Sequence, residues 1–177
     1  MIILDTNVIS EIIKKQPDEH VANWLRNQDT SNLATTAITV AELLAGICRM
    51  PEGKRRKYTD TTVKLALMTL EDRTFAFDTQ AAADYAHILV EREHRGTPTS
   101  IQDAMIAAIA CSWDAAIATR NIKDFEGTDV ELINPWEFAW REAPANCRGL
   151  VNVTVSPATP IVRRVRAIRL RDHRFQY

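Results

Sequence analysis

Short apolar runs alternate along the chain with longer stretches whose apolar residues recur at helical spacing. Residues 1–4 are apolar and stop at Asp5-Thr6-Asn7, after which Val8, Ile9, Ile12 and Ile13 follow a helical period, which predicts strand, cap and helix in that order. Residues 33–38, rich in Thr, Ala and Ile, predict a second strand, with Thr39 capping a helix that carries Glu42 and that Gly46 ends or kinks. After a turn at Pro51-Glu52-Gly53, residues 54–70 open on a basic block and then repeat Val63, Leu65, Ala66, Leu67 and Leu70, a solvated helix with one apolar face. Residues 74–77 predict a third strand, and Asp78-Thr79 the start of a helix to about Arg95, broken by Gly96-Thr97-Pro98-Thr99. Ser100 is a natural N-cap; Asp103 then takes the third helical position, and residues 104–110 are apolar on nearly every side, so this helix should be buried. Residues 115–118 and 130–133 predict the fourth and fifth strands, ending at Thr119-Arg120-Asn121 and before Asn134-Pro135-Trp136.

Strands alternating with helices predict an α/β fold, a central and mainly parallel sheet of about five strands with helices on both faces. Beyond about Arg141 the pattern fails, interrupted by Pro144, Pro157 and Pro160, so residues 1–140 read as one domain and residues 141–177 as a tail expected to be poorly ordered.

Composition adds little to this, but the distribution of charge adds much. The net charge of −1 conceals a tail of eight Arg, no Lys and two acids, at +6, against −7 for residues 1–140. No apolar stretch approaches the roughly 20 residues that span a bilayer, and the N-terminus has no basic leader, so no membrane association and a cytoplasmic location are expected. Cys48, Cys111 and Cys147 show no metal-binding spacing and read as incidental thiols.

The acidic body has a use if some of its carboxylates hold divalent cations. In an open parallel sheet, ligands gather at the carboxyl ends of the strands. Asp5 ends the first strand, Glu42 lies about a turn into the helix after the second, Asp103 opens its helix, and Thr119 to Asn121 end the fourth strand. Taken singly, Asp5 is equally a helix cap, Glu42 a surface residue and Asp103 a partner of the helix dipole. Three carboxylates about 4 Å apart would repel by roughly 4 kcal/mol per pair at an effective dielectric of about 20, so convergence demands a cation. Oxygen ligands without His or Cys favour Mg²⁺, with Mn²⁺ as the alternative. Thr6, Asn7, Thr119 and Asn121 are suitable supporting groups, although Thr6, Asn7 and Thr119 are also ordinary caps. Asp124 reads as a cap of the turn that follows it.

In order along the chain stand Ile3-Leu4-Asp5-Thr6-Asn7-Val8-Ile9-Ser10, Ala37-Ile38-Thr39-Val40-Ala41-Glu42-Leu43, Gly96-Thr97-Pro98 with Gln102-Asp103-Ala104-Met105-Ile106, Ala118-Thr119-Arg120-Asn121 with Asp124-Phe125, and Asn134-Pro135-Trp136. Over residues 1–140 this series resembles the PIN-domain family, in particular the VapC-type ribonuclease toxins of toxin–antitoxin pairs, also called plasmid-stability proteins. The resemblance implies a PIN-like three-layer sandwich and a Mg²⁺-dependent endoribonuclease acting as a toxin, with Asp5, Glu42 and Asp103 catalytic and Asp5 and Asp103 as direct metal ligands. It implies an RNA substrate and a homodimer. An antitoxin partner is expected too, docking an apolar helix on the first helix, with Ile9, Ile12 and Ile13 as candidate contacts, and on the helix of residues 54–70. Some family members carry a fourth acid where this chain has Asn121. The Arg-rich tail lies outside the resemblance: it reads as an added RNA-binding segment, an extension without fixed structure, or coding sequence out of frame.

Two other readings compete. An aspartyl-phosphate phosphatase of the haloacid-dehalogenase type needs a second acid two residues after the first, where this chain has Asn7. A catalytically weak PIN domain, serving mainly as antitoxin partner in an operator-DNA complex, is the non-enzymatic alternative.

Overall fold

The computed structural model describes residues 1–138; the expectations for the tail lie outside them. Five strands form the centre: β1 (Ile2–Leu4), β2 (Leu33–Thr36), β3 (Thr74–Phe75), β4 (Ala116–Ala118) and β5 (Leu132–Ile133). The order is β3-β2-β1-β4-β5, and every pairing is parallel. Seven α-helices are found among the described residues, with two short 3-10 turns besides: α1 (Thr6–Ile12), α2 (Glu19–Arg26), α3 (Ala37–Arg49), α4 (Lys54–Met68), α5 (Thr79–His94), α6 (Ile101–Ser112) and α7 (Ile122–Phe125).

Alternation along β1 divides the core into two layers, because successive strand residues face opposite sides of a sheet. Ile3 joins Ile88 of α5 and Ile106 to Ala110 of α6 on one face. Leu4 joins Val8 and Ile9 of α1, Val21 and Trp24 of α2, Leu43 and Ile47 of α3 and Val63 of α4 on the other. α6 is buried nearly all round, as its composition predicts, whereas α4 buries Val63 alone. Ile9 is fully buried and so is not available to a partner, while Ile12 and Ile13 are partly buried.

Several boundaries differ from the sequence pattern. α3 is capped by Thr36, whose Oγ1 accepts the Thr39 N–H at 3.0 Å, so Thr39 is inside the helix and β2 ends at Thr36. α3 also runs through Gly46 to Arg49. The edge strands β3 and β5 keep only two residues each. α2, which the hydrophobic pattern did not single out, is capped by Asp18 and buries Val21 and Trp24 on one side of an otherwise polar helix. Gly96 ends α5 with φ 67°, its N–H donating to Glu93 O and that of Thr97 to Arg92 O, the paired bonds of a left-handed helix terminus that favours glycine.

Candidate functional site

The strand order reverses at β1, with β2 on one side and β4 on the other, and the crevice beyond the carboxyl ends of such neighbours is where open parallel sheets bind ligands. Pairing of Leu4 with Ala118 brings the ends of β1 and β4 level. Asp5 and Thr119, the residues that follow, therefore meet.

Asp5 is buried and accepts from three donors. The Thr6 N–H binds one carboxylate oxygen at 2.6 Å, and Asn7 Nδ2 and Thr119 Oγ1 bind the other at 2.7 and 2.8 Å. The Thr119 hydroxyl is then fully engaged, since its oxygen also accepts from Asn7 Nδ2 and the Asn121 N–H. It positions Asp5 and has no proton left for a phosphate. Asn7 closes the network by accepting the Arg120 N–H at 3.0 Å. Asn121 joins only through its backbone; its side chain is exposed. Across the crevice, Thr6 Oγ1 donates to Glu42 at 2.5 Å.

Burial pushes the Asp5 carboxyl from the ordinary 3.8 up to about 6, outweighing the hydrogen bonds that lower it, and the charges of Asp103 and Glu42 add to the rise. Asp103, half-buried at the start of α6, is also raised, first by burial and then by Asp124 and Glu42, while Ser100 and Arg92 pull it back. Ser100 caps α6 and donates its hydroxyl to Asp103 at 2.5 Å. Asp5, Glu42 and Asp103, the three expected acids, are thus within one another's electrostatic reach, and Asp124 is within reach of Asp103.

Asp124 is part of α7 and does not cap the turn after it. The short helix is held from α5 and the loop behind it by its backbone carbonyls. Arg92, itself buried, donates to the carbonyls of Lys123 (3.3 Å) and Glu126; Thr99 binds that of Asp124 (2.9 Å), and Arg95 that of Gly127 (3.2 Å). Arg92 Nε has no hydrogen-bond partner among the described residues. Nothing in the sequence marks Arg92 as buried; Asp124 had a signal in Ile122 and Phe125, apolar neighbours at the spacing of a helical turn.

Among the described residues no three His, Cys, Asp or Glu side chains stand in ligand geometry for a metal ion. The carboxylates make their hydrogen bonds to Thr6, Asn7, Ser100 and Thr119 instead. The chemistry of the set nevertheless suits a hard divalent cation: oxygen donors only, with mutual repulsion that a cation would relieve. No described helix is long and apolar enough to cross a membrane.

The sequence profile described as PIN domain matches residues 2–130. The chain is 41% identical over 138 residues to the plasmid stability protein StbB of Pseudomonas syringae pv. tomato, covering 77% of this chain and 99% of that one. It is 40% identical over 140 residues to the VapC ribonuclease Y4jK of Sinorhizobium fredii, at 78% and 100% coverage. With Toxin FitB of Neisseria gonorrhoeae it shares 36% over 137 residues, 77% and 99% of the two chains. The crystal structure of FitAcB from the same organism superposes with a TM-score of 0.73 at 36% identity, over 78% of this chain and all of that one.

Proposed function

The chain belongs to the PIN-domain family, and from that footing we propose that it is a Mg²⁺-dependent endoribonuclease, the toxin of a toxin–antitoxin pair, hydrolysing RNA phosphodiester bonds. The observation that carries the reading is Asp5, a buried carboxyl raised to about 6 in part by the charges of Asp103 and Glu42, at the point where the strand order reverses. Such a group invites a counter-ion. The chain's likeness to relatives named ribonuclease and toxin is consistent with the reading. The convergence of Asp5, Glu42 and Asp103, with Asp124 beside Asp103, speaks against the catalytically weak alternative.

Asp5 and Asp103 would hold the cation, Mg²⁺ or Mn²⁺, with Asp124 as a further oxygen donor. When bound, the cation supplies Lewis acidity at the phosphate and lowers the pKa of water. The chain's own groups do the rest. Thr6, Asn7 and Thr119 fix the Asp5 oxygens by three hydrogen bonds, so little reorientation is needed on binding. The Thr6 hydroxyl holds one carboxylate oxygen of Glu42, leaving the other to orient the attacking water and accept a proton from it. Asn121 offers an exposed amide to the substrate.

An unrestrained ribonuclease would poison its host, so the reading includes a cognate antitoxin. Exposed Leu44 on α3 and Tyr58, Leu65 and Met68 on α4 are suited to an amphipathic partner helix, with Ile12 at the end of α1 and Ile13 after it partly buried against the core that α3 and α4 share. A homodimer is expected from the family likeness, and the cytoplasm from the RNA substrate.

Cleavage of total RNA with and without Mg²⁺ tests the activity. The parent should cut only with the metal, and Asp103→Asn and Asp5→Asn should each lose orders of magnitude in rate, because the cation and its polarised water go together. Cleavage that persists in EDTA, or in both variants, rules the reading out.

A further inference from the structure

Beside the acid cluster, at the carboxyl ends of β4 and β5, lies a cavity of about 420 Å³, within the size range of small-ligand sites. Arg120, Asn121, Lys123, Asp124, Asn134 and Glu137 line it. Asp124 belongs to cavity and cluster alike, since its charge reaches Asp103. Arg120 makes a second link: its backbone N–H donates to Asn7, which in turn donates to Asp5. Whatever occupies the cluster therefore has this cavity as its neighbour.

The Arg120 guanidinium lies over the Trp136 ring, 5.5 Å from the centroid. Trp136 is itself set by a turn, its backbone N–H donating to Asn134 Oδ1 at 3.1 Å and that of Glu137 to Asn134 O at 3.2 Å. This gives the Asn134-Pro135-Trp136 sequence a task, namely to present an indole face to Arg120. A guanidinium resting on an aromatic face keeps its in-plane N–H donors for an anion, and their fork matches a phosphate. Neither Arg120 nor Lys123 pairs with a carboxylate among the described residues. Two cations with no carboxylate partner among the described residues thus stand beside Asp124, which links them to the acid cluster.

We propose that this cavity is the subsite for an RNA phosphate adjacent to the one being hydrolysed, with Arg120 as its principal donor, Lys123 as a second cation and Trp136 holding the Arg120 fork in place. This rests on the ribonuclease reading. The acid cluster accounts for the scissile phosphate through its cation, but repels every other phosphate of the strand, and Arg120 and Lys123 offset that repulsion. Glu137 works against them from the cavity wall.

The test is steady-state cleavage of a short single-stranded RNA across a salt series by the full chain and its Arg120→Ala, Arg120→Lys and Glu137→Gln variants. It is paired with an NMR titration of the metal-free protein with uridine 5′-monophosphate. Arg120→Ala should raise KM about tenfold or more with kcat held within about threefold, and reduce the salt slope by roughly 0.7. Arg120→Lys should restore the slope but only part of KM, and Glu137→Gln should lower KM. The nucleotide should shift the Trp136 indole N–H resonance in the parent and not in Arg120→Ala. An unchanged KM and slope in Arg120→Ala, or a fall in kcat alone, overturns the subsite. So does a cleaving parent whose Trp136 resonance ignores the nucleotide. If the parent fails to cut RNA yet the nucleotide shifts Trp136 in an Arg120-dependent way, the ribonuclease reading falls and the phosphate subsite stands.

Discussion

The two halves of the acid cluster are held by opposite means. Asp5 is a buried carboxylate gripped directly, both oxygens taken by donors from Thr6, Asn7 and Thr119. On the other side, Asp103 receives one hydroxyl from Ser100, and Asp124 is placed indirectly, by the grip of Arg92, Arg95 and Thr99 on the backbone of α7 and of the two residues after it. The first half is a fixed charge whose energy depends on protonation. In the second, the side chains keep freedom while the backbone under them does not. The contrast suggests a site in which one ligand is set in advance and others close on the cation.

The largest way to expose the difference is pH. Asp5 has a folded pKa of about 6 against an ordinary 3.8, so the folded state holds its proton more tightly than the unfolded one. Its contribution favours folding at low pH and is lost as pH rises from about 4 through about 6. The loss is about 3 kcal/mol at roughly 1.4 kcal/mol per unit. Denaturant melts of the metal-free protein, compared with Asp5→Asn, should show the parent's advantage shrinking by about that amount between pH 4 and 8. Parallel curves would mean that Asp5 is not strained by burial. Mg²⁺ at a hundredfold excess over its dissociation constant should return up to about 2.7 kcal/mol to the parent.

Next comes the indirect half. Arg92→Ala strips the buried donors from the carbonyls of Lys123 and Glu126, and should cost about 2 kcal/mol, the loss of two hydrogen bonds being offset in part by removal of a buried charge with an orphaned Nε. It should also weaken Mg²⁺ binding, whereas Thr119→Val should disturb Asp5 and free the Asn121 N–H at the start of α7 while leaving the bonds of Arg92 and Thr99 to α7 in place. Arg92→Ala that melts with the parent and binds Mg²⁺ equally well would remove the clasp from the account.

The smallest effect separates the two aspartates themselves. Asp103→Asn can keep its carbonyl toward Ser100, and in metal-free protein should be as stable as the parent or up to about 1 kcal/mol more stable as repulsion falls, the gain being limited by solvent screening and by the lost helix-dipole term. Asp5→Asn cannot do the same. Both Asp5 oxygens accept hydrogen bonds, so an amide nitrogen in either place faces a donor and cancels what burial relief provides. Thermal melts at neutral pH in EDTA should rank Asp103→Asn above Asp5→Asn.

What the sequence disclosed follows the range of the forces involved. α6 was legible because seven consecutive apolar residues leave a helix no polar side to expose, Asp5 because it stands between a strand and a helix, and Glu42 and Asp103 because each falls early in a helix of apolar context. The cap of α3 was misplaced because Thr36 and Thr39 are chemically alike, and only the end of β2 decides between them. α2 went unnoticed because its buried Val21 and Trp24 are few among polar neighbours. Arg92 and Asp124 depend on a contact between α5 and α7 more than thirty residues apart, which no local pattern encodes.

The sheet's edges carry one more consequence. A strand on the rim of a sheet is an invitation to another chain, since its unmet N–H and C=O groups can template the growth of an aggregate. Here both rims, β3 and β5, are two residues long, shorter than the β1 and β4 they flank. A second molecule arriving edge-on would find too short a ladder to hold, so self-association by strand addition is discouraged. Among the described residues, the helical layers therefore offer the broader surface for contact with another polypeptide.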